Sequence, residues 1–469
     1  MNALFPSPRT HWPAAIGDVS FWYADMGGLP PLRAPLSGDT IADVCIIGAG
    51  YTGLWTAWYL KQAAPHLNIL VVERDFAGFG ASGRNGGWLT GGFAWNHDRY
   101  AATSSRAAVM AMVGAMAGTV DEVCRVAEEQ GIDADIRRVD ELMVAVTPAQ
   151  EVRMRAEVAH RQSWGDTRVS LIGAKAAADR IAIPHVRGGM VVTGMARVQP
   201  AKLVRGLAAA VDRAGVRIVE QTAAIGVTQG RVETTRGTVR AKIILRATEG
   251  FTAGLPGLRR EWLPLNSAQI ATDLLPTEMW AKIGWEGHEI FADSASVYCY
   301  CQRTREGRIT VGARGAPYRY GSATDTNGAL DDATIRRLIG ILHRHFPLTR
   351  DVGIAHAWCG VLAVPRDWCA TVGFDAVTGM GFAGGYVGVG VSTSNLAGRT
   401  LADLALGRDT PLARLPWVNR RVRAWEPEPL RWLGVRGMYA LLNAADRAEA
   451  KGGGPSRLAA LGNWLTGRG

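Results

Sequence analysis

Residues 44–47 (VCII) form a short, uncharged apolar run that stops at Gly48. A run of that length bounded by glycine predicts a strand buried on both faces, as in a parallel sheet. The chain continues GAGYTGLWTAWYL, where Gly48, Gly50 and Gly53 lead into a helix carrying Ala57 and Leu60. NILVVE then predicts a second buried strand ending on Glu73. Further on, Leu203, Leu207 and Val211 share one face of a helix predicted over 201–214, Gly215 stops it, and 216–220 reads as a strand. A buried strand at 243–245 runs into Ala247-Thr248-Glu249-Gly250. SVYCYCQ alternates, RTREGR turns and ITVGARG returns, the pattern of a β-hairpin. Residues 107–131 read as a helix, and so do 395–406 after Gly384, Gly385, Gly388 and Gly390.

Strand, glycine turn, helix, strand and terminal acid together predict a dinucleotide-binding unit. Gly48 permits the tight turn, Gly50 lets backbone approach a pyrophosphate, and Gly53 lets the helix pack on the strand. Tyr51 and Thr52 stand at the helix start, where free N–H groups and a partial positive charge meet phosphates. Glu73 has the spacing of a ribose-binding carboxylate, with Arg74 beside it. A carboxylate there repels a 2′-phosphate, which excludes NADP and leaves NAD or FAD.

The next segment, GFGASGRNGG, holds Gly78, Gly80, Gly83, Gly86 and Gly87 within ten residues. Such a loop can wrap N–H groups around an extended anion. Ala81 and Ser82 lie inside it, Ser82 and Asn85 offer hydrogen bonds, and Arg84 offers charge to a phosphate or a flavin carbonyl.

Composition narrows the picture only a little. The 469 residues are 48% hydrophobic and 20% charged, which fits two or three domains or one large fold with an interwoven second domain. The net charge is +10 and the pI near 9.5, but the basic residues are scattered. A solvated surface or an anionic partner follows, and nucleic acid is not expected. Six cysteines (Cys45, Cys124, Cys299, Cys301, Cys359 and Cys369) are too sparse for a disulfide scaffold. Cys299 and Cys301 share a strand face with no histidine near them in sequence, so no metal is expected. MNALFPSPRTHWPAA lacks the pattern of a signal peptide, and the uncharged stretches 44–60 and 376–398 are broken by glycine and polar residues. The expectation is a soluble, cytoplasmic protein without membrane contact.

Four stretches, DVCIIGAGYTGLWTAWYL, VVERDFAGFGASGRNGG, RAKIILRATEGFT and GFAGGYVGVGVSTSNLAGRTLADL, resemble the D-amino-acid oxidase (DAO) superfamily of FAD-dependent amine and amino-acid oxidoreductases. Within it the chain is most similar to the γ-glutamylputrescine oxidase-like branch. The resemblance implies an α/β fold: a Rossmann-like FAD-binding domain (36–100, 195–254 and 352–408) interwoven with an α+β antiparallel-sheet substrate domain (101–194 and 255–351). A C-terminal helical extension (409–469) follows, with Leu430, Leu433, Met438, Leu441 and Leu442 expected to pack back on the domain. The resemblance further implies FAD held non-covalently, with the loop at 80–87 along its pyrophosphate. It places 223–227 near the adenine, Ala247 and Thr248 as a second contact, and Gly385, Gly388, Val389 and Gly390 at the flavin.

The chemistry implied is oxidation of a small-molecule amine, with hydride passing to flavin N5 and the imine hydrolysing afterwards. Oxygen, or another acceptor, takes the electrons. Aromatic walls that desolvate and aim the amine are expected from Tyr298, Tyr300, Tyr386 and Trp358. Two departures from the sarcosine-oxidase branch bear on this. Its returning-strand Lys-x-Gly-x-His reads Thr310-Val-Gly-Ala-Arg314 here, and its carboxylate-gripping lysine aligns with Ser392. Arg314, with Arg303, is therefore expected to grip a distal anion such as a carboxylate or phosphonate. Cys359 stands one residue from the position used for covalent flavin attachment in relatives.

Overall fold

The apolar run at 44–47 is the buried end of a longer strand, Thr40–Ile47, at the heart of an eight-stranded sheet. The computed structural model describes residues 12–94, 96–313, 318–324, 327–450 and 456. Strand Thr40–Ile47 pairs in parallel with Ile69–Val72 on one side and Gly237–Arg246 on the other. Arg217–Val219 and Met380–Gly384 extend the parallel set outward. This is the order a glycine-turn unit generates, because each crossover helix must return the chain in parallel. Helix Tyr51–Ala63 is one of those crossovers, and Leu54, Trp55, Ala57 and Leu60 are fully buried. Helix Gly390–Ala405 packs against it so closely that a Cβ on Gly398 would stand 2.7 Å from Trp55 Cβ.

The second sheet has ten strands and is mostly antiparallel. The predicted hairpin is there as Cys299–Arg303 and Ile309–Ala313, with Cys299 opposite Ala313 and Arg303 opposite Ile309. Leu263–Thr272 and Ile354–Val364 flank it on one side. Ile290–Asp293, Arg137–Ala145 and Gly188–Arg197 continue on the other. Strand Ile354–Val364 therefore belongs to this sheet, although it falls in the 352–408 segment assigned by sequence to the cofactor domain. Helix Arg106–Glu129 crosses the same line: its Val109, Met112, Met116, Val120 and Val123 join the core of the cofactor-side helices. Its length and composition would suit a membrane span, yet this face is filled by protein.

Helix Leu430–Glu449 docks through its C-terminal half. Asp446 accepts the backbone N–H groups of Ser296 and Val297, both at 2.9 Å, and Glu449 pairs with Arg153 at 2.9 Å. Of the expected apolar face, Leu442 is buried, while Leu430 and Leu433 are 62% and 55% exposed. Polar contacts, more than the leucine stripe, hold the helix.

Candidate active site

The glycine turn has the geometry its residues demand. Gly48 has φ +103°, and a Cβ there would lie 2.6 Å from the Ala247 carbonyl oxygen. A Cβ on Gly53 would lie 2.0 Å from the Gly48 oxygen, so Gly53 serves helix packing and does not line the cavity. Tyr51 N–H donates to Ser82 Oγ at 2.8 Å. The Thr52 and Gly53 N–H groups have no acceptor among the described residues, as expected of a first helical turn awaiting an anion. Glu73 closes the turn: its carboxylate accepts Ala49 N–H at 2.7 Å and Asp75 N–H at 3.0 Å, and burial pushes it up to about 7. Arg74 stacks its guanidinium over Phe251, 4.6 Å from the ring centre.

The loop at 80–87 is ordered by its own side chains. Ala81–Gly83 form a 3₁₀ turn. Asn85 Nδ2 donates to the Ala81 and Ser82 carbonyls, and its Oδ1 accepts Gly87 N–H at 2.8 Å. Arg84 departs from the expectation of a charge offered to the cofactor. It is 1% exposed, and its guanidinium donates to the Phe79 carbonyl at 2.8 Å and the Cys359 carbonyl at 3.3 Å. The bond to Cys359 ties the loop to strand Ile354–Val364. Arg84→Ala should strand those two carbonyls and cost about 2–4 kcal/mol of stability, read as a lower Tm by calorimetry before any change in amine preference.

A second helix N-terminus meets the first. Tyr386 Oη and Thr52 Oγ1 share a 2.8 Å hydrogen bond, which brings the Gly388, Val389 and Gly390 turn beside the glycine turn. Glu249, unassigned in the sequence reading, holds this turn in place. Its carboxylate accepts Gly385 N–H at 2.8 Å, Ala363 N–H at 3.2 Å and Tyr386 N–H at 3.3 Å, and burial pushes it up to about 7. Gly385 (φ +76°) spends its N–H on this bond and stays behind the cavity wall.

Between these elements runs a cavity of about 970 Å³. It is lined by Gly48, Gly50, Tyr51, Thr52, Glu73 and Arg74, by 79–82 and 84–86, by Ala247 and Thr248, and by 386–391. Gly87 (φ +70°) turns away, its space filled by Gln302 and the Val198 carbonyl. At the other end the cavity meets the second sheet. Tyr300 lies flat against two glycines: a Cβ on Gly86 would be 2.8 Å from its ring and one on Gly312 2.1 Å. Its hydroxyl shares a 2.8 Å bond with Ser267. Tyr298, Asn266, Gln269 and Leu362 complete the wall. Asn266 is 4% exposed, and both its amide atoms lack a protein partner, as does Gln269 Oε1. An amide left unpaired in a buried wall is costly unless a ligand satisfies it. Asn266 and Gln269 were legible as polar interruptions in the apolar strand LPLNSAQIAT, a signal the sequence reading did not use.

Two further expectations change, those for Trp358 and Arg303. Trp358 is fully buried under the loop, its Nε1–H donating to the Arg84 carbonyl at 2.9 Å, and it does not reach the cavity. Arg303 faces away: it donates to the Trp285 carbonyl, pairs with Glu286 at 3.1 Å and stacks on Trp280. Ser392 is buried and donates to the Thr90 carbonyl. Cys359 is buried with Sγ toward the Ala329 carbonyl, and no cysteine lines the cavity among the described residues. Arg314 lies outside the described residues.

The structure also supplies a histidine for Cys299. Asp293, Cys299 and His345 place ligand atoms within 4.8 Å of one another. His345 Nε2 and Asp293 lie 3.1 Å apart. Cys299 and Asp293 push His345 up to about 10 despite its burial, while the His345 bond holds Asp293 low. A protonated imidazolium is an ion-pair partner and a poor metal ligand.

A parallel dinucleotide fold with two helix N-termini on one groove, closed by an antiparallel sheet, defines a two-domain flavin-dependent oxidoreductase. Residues 43–404 match the family described as FAD dependent oxidoreductase, DAO, and the chain belongs to that family. It is 31% identical over 411 residues to the probable oxidoreductase OrdL of Rhizobium meliloti, covering 86% of this chain and 91% of that one. It is 27% identical to γ-glutamylputrescine oxidoreductase of Escherichia coli over 395 residues, 81% of this chain and 88% of that one. Among solved structures, glycine oxidase from Geobacillus kaustophilus superposes with a TM-score of 0.69 at 19% identity, covering 81% of this chain and 99% of that one. The L-proline dehydrogenase of P. horikoshii gives 0.64 at 17%, covering 83% and 96%. The cofactor is FAD, and the two helix N-termini, with the unpaired N–H of Thr52 on the cavity wall, fit its pyrophosphate. The family acts on amines and amino acids.

Proposed function

We propose that this chain oxidises a primary or secondary amine at the carbon next to nitrogen. The imine leaves and hydrolyses to an aldehyde plus ammonia or a smaller amine, and oxygen takes the electrons to give hydrogen peroxide. The observation that carries the reading is one unbroken cavity, from two helix N-termini to a wall of Tyr298, Tyr300, Asn266 and Gln269 with unpaired amide atoms.

Bound FAD supplies the hydride acceptor. The chain supplies the conditions under which an amine can give hydride up. Tyr298, Tyr300 and Leu362 exclude water, and an ammonium moved into such a wall loses proton affinity. Asn266 Oδ1 is a buried acceptor for the amine N–H, and its Nδ2 a donor. The Tyr300 ring, fixed between Gly86 and Gly312, sets the direction of approach. No side chain is asked to take a proton from carbon.

A second reading, an amine dehydrogenase using another acceptor, is favoured by Thr310. It stands on the returning strand where the sarcosine-oxidase branch carries an oxygen-assisting lysine, and it is buried. Anaerobic mixing of the yellow holoenzyme with a panel of amines, amino acids and aminophosphonates tests both. An amine should bleach the flavin within seconds, and air should restore the colour with peroxide release. Bleaching followed by restoration only with a quinone selects the dehydrogenase. A panel that bleaches nothing rules out amine oxidation and leaves the flavoprotein assignment intact.

A further inference from the structure

The cavity does not end at Tyr300. In the second sheet Tyr300 lies opposite Ala292, and Ala292 opposite Met143, so the three form a row across neighbouring strands. Glu141 stands two residues along from Met143, on the same face, and both line the cavity. Strand spacing and rise put the Tyr300 and Glu141 Cα atoms roughly 12 Å apart. Helix Pro148–Ser163 covers this end and contributes Glu157 to the same lining.

The two carboxylates are not spent on the protein. Glu141 has no hydrogen bond or ion pair among the described residues, and Glu157 has only Arg161, at 3.9 Å. The neighbouring arginines are committed elsewhere. Arg161 and Arg168 both bind Asp166, at 2.7 and 3.0 Å, and Arg153 binds Glu449. Arg168 Nη1 alone keeps an unused buried donor. Burial pushes Glu157 up to about 8 and Glu141 upward, against the pull of Arg161 on both and of Arg168 on Glu141. Arg161 and Arg168 share the lining, but with both bound to Asp166 they compensate these enclosed carboxylates only in part. At the near end of the same cavity, the unpaired amide of Asn266 independently marks a place for a polar ligand.

We propose that Glu141 and Glu157 hold a second cationic nitrogen of the substrate, which makes a diamine, or a longer amine bearing another ammonium, the substrate class. This rests on the amine-oxidation reading and assigns the far end of its cavity. One nitrogen lies at Asn266 and Tyr300, and the other lies among the carboxylates.

The test compares diaminobutane with pentylamine, a methyl group replacing the second ammonium at equal length. Anaerobic flavin reduction by holoenzyme should favour diaminobutane roughly ten- to a hundred-fold in kcat/KM. In the Glu141→Gln/Glu157→Gln double variant, with flavin content confirmed, the ratio should fall toward one. Glu157→Asp should retain most of it. If the double variant loses flavin, Glu157→Gln alone reads the same fall in part. Equal rates for the two amines in the wild type, or an undiminished ratio in the variants, would overturn the assignment. Calorimetric titration separates the two proposals. Diaminobutane that binds the wild type and not the double variant, while neither it nor any amine of the panel bleaches the flavin, sinks amine oxidation and keeps the subsite. Diaminobutane that does not bind at all sinks the subsite.

Discussion

A Gly48→Ala variant is expected to come off the column colourless. The new methyl would stand 2.6 Å from the Ala247 carbonyl oxygen, on a residue whose φ of +103° already excludes side chains. Something must shift. The two movable partners are the glycine turn and the end of strand Gly237–Arg246, and both face the cofactor groove. Strain and displacement together should weaken FAD binding by about 3 kcal/mol, roughly a hundredfold. The check is the ratio of visible flavin absorbance to protein, with reconstitution in added FAD, while far-UV circular dichroism confirms the fold. A variant as yellow as the wild type would mean that the turn does not shape the pyrophosphate site.

Glu249→Ala should be nearly as damaging, for a different reason. It removes a carboxylate that accepts three backbone N–H groups, from Ala363, Gly385 and Tyr386. Buried donors left unpaired cost about 1–3 kcal/mol each, though not additively. The Tyr386 turn should loosen, and FAD retention should fall at least tenfold, since Tyr386 binds Thr52 at the other helix. Glu249→Gln keeps an acceptor and should recover much of this. The carboxyl also has a pH signature. Its folded value near 7 lies above its ordinary 4.5, as does that of Glu73. The folded apoprotein therefore binds more protons than the unfolded chain between those values and loses stability as pH rises through that window. Thermal melts of apoprotein should show this slope, and Glu249→Gln should reduce it.

The cofactor half was legible because its signals are local. A strand, three glycines, a helix and an acid occupy fewer than forty consecutive residues, and each constrains its neighbour. The direction of single side chains was less so. Arg303 was assigned to substrate, yet period-two alternation along Cys299–Arg303 already sets it with Cys299 and Cys301, opposite Tyr300 and Gln302. Arg84 and Trp358 could not be placed by any local rule. Their positions depend on strand Ile354–Val364 lying under the loop, a pairing of segments some 275 residues apart. The role of Glu249 was hidden for the same reason, since all three of its donors lie more than a hundred residues downstream. The carboxylates Glu141 and Glu157 sit on a strand and a helix with no motif between them, and only register across the sheet puts them on the path from Tyr300.

The 2.8 Å bond between Thr52 and Tyr386 has a bearing on biogenesis. The groove needs residues near 50, near 248 and near 388 at once, so a nascent chain cannot complete it until about four-fifths of the protein has left the ribosome. Loading of the prosthetic group is thus a late, largely post-translational event. Truncated chains that stop short of helix Gly390–Ala405 should accumulate as apoprotein, exposing the Trp55 and Tyr59 surface that this helix covers to chaperones and proteases.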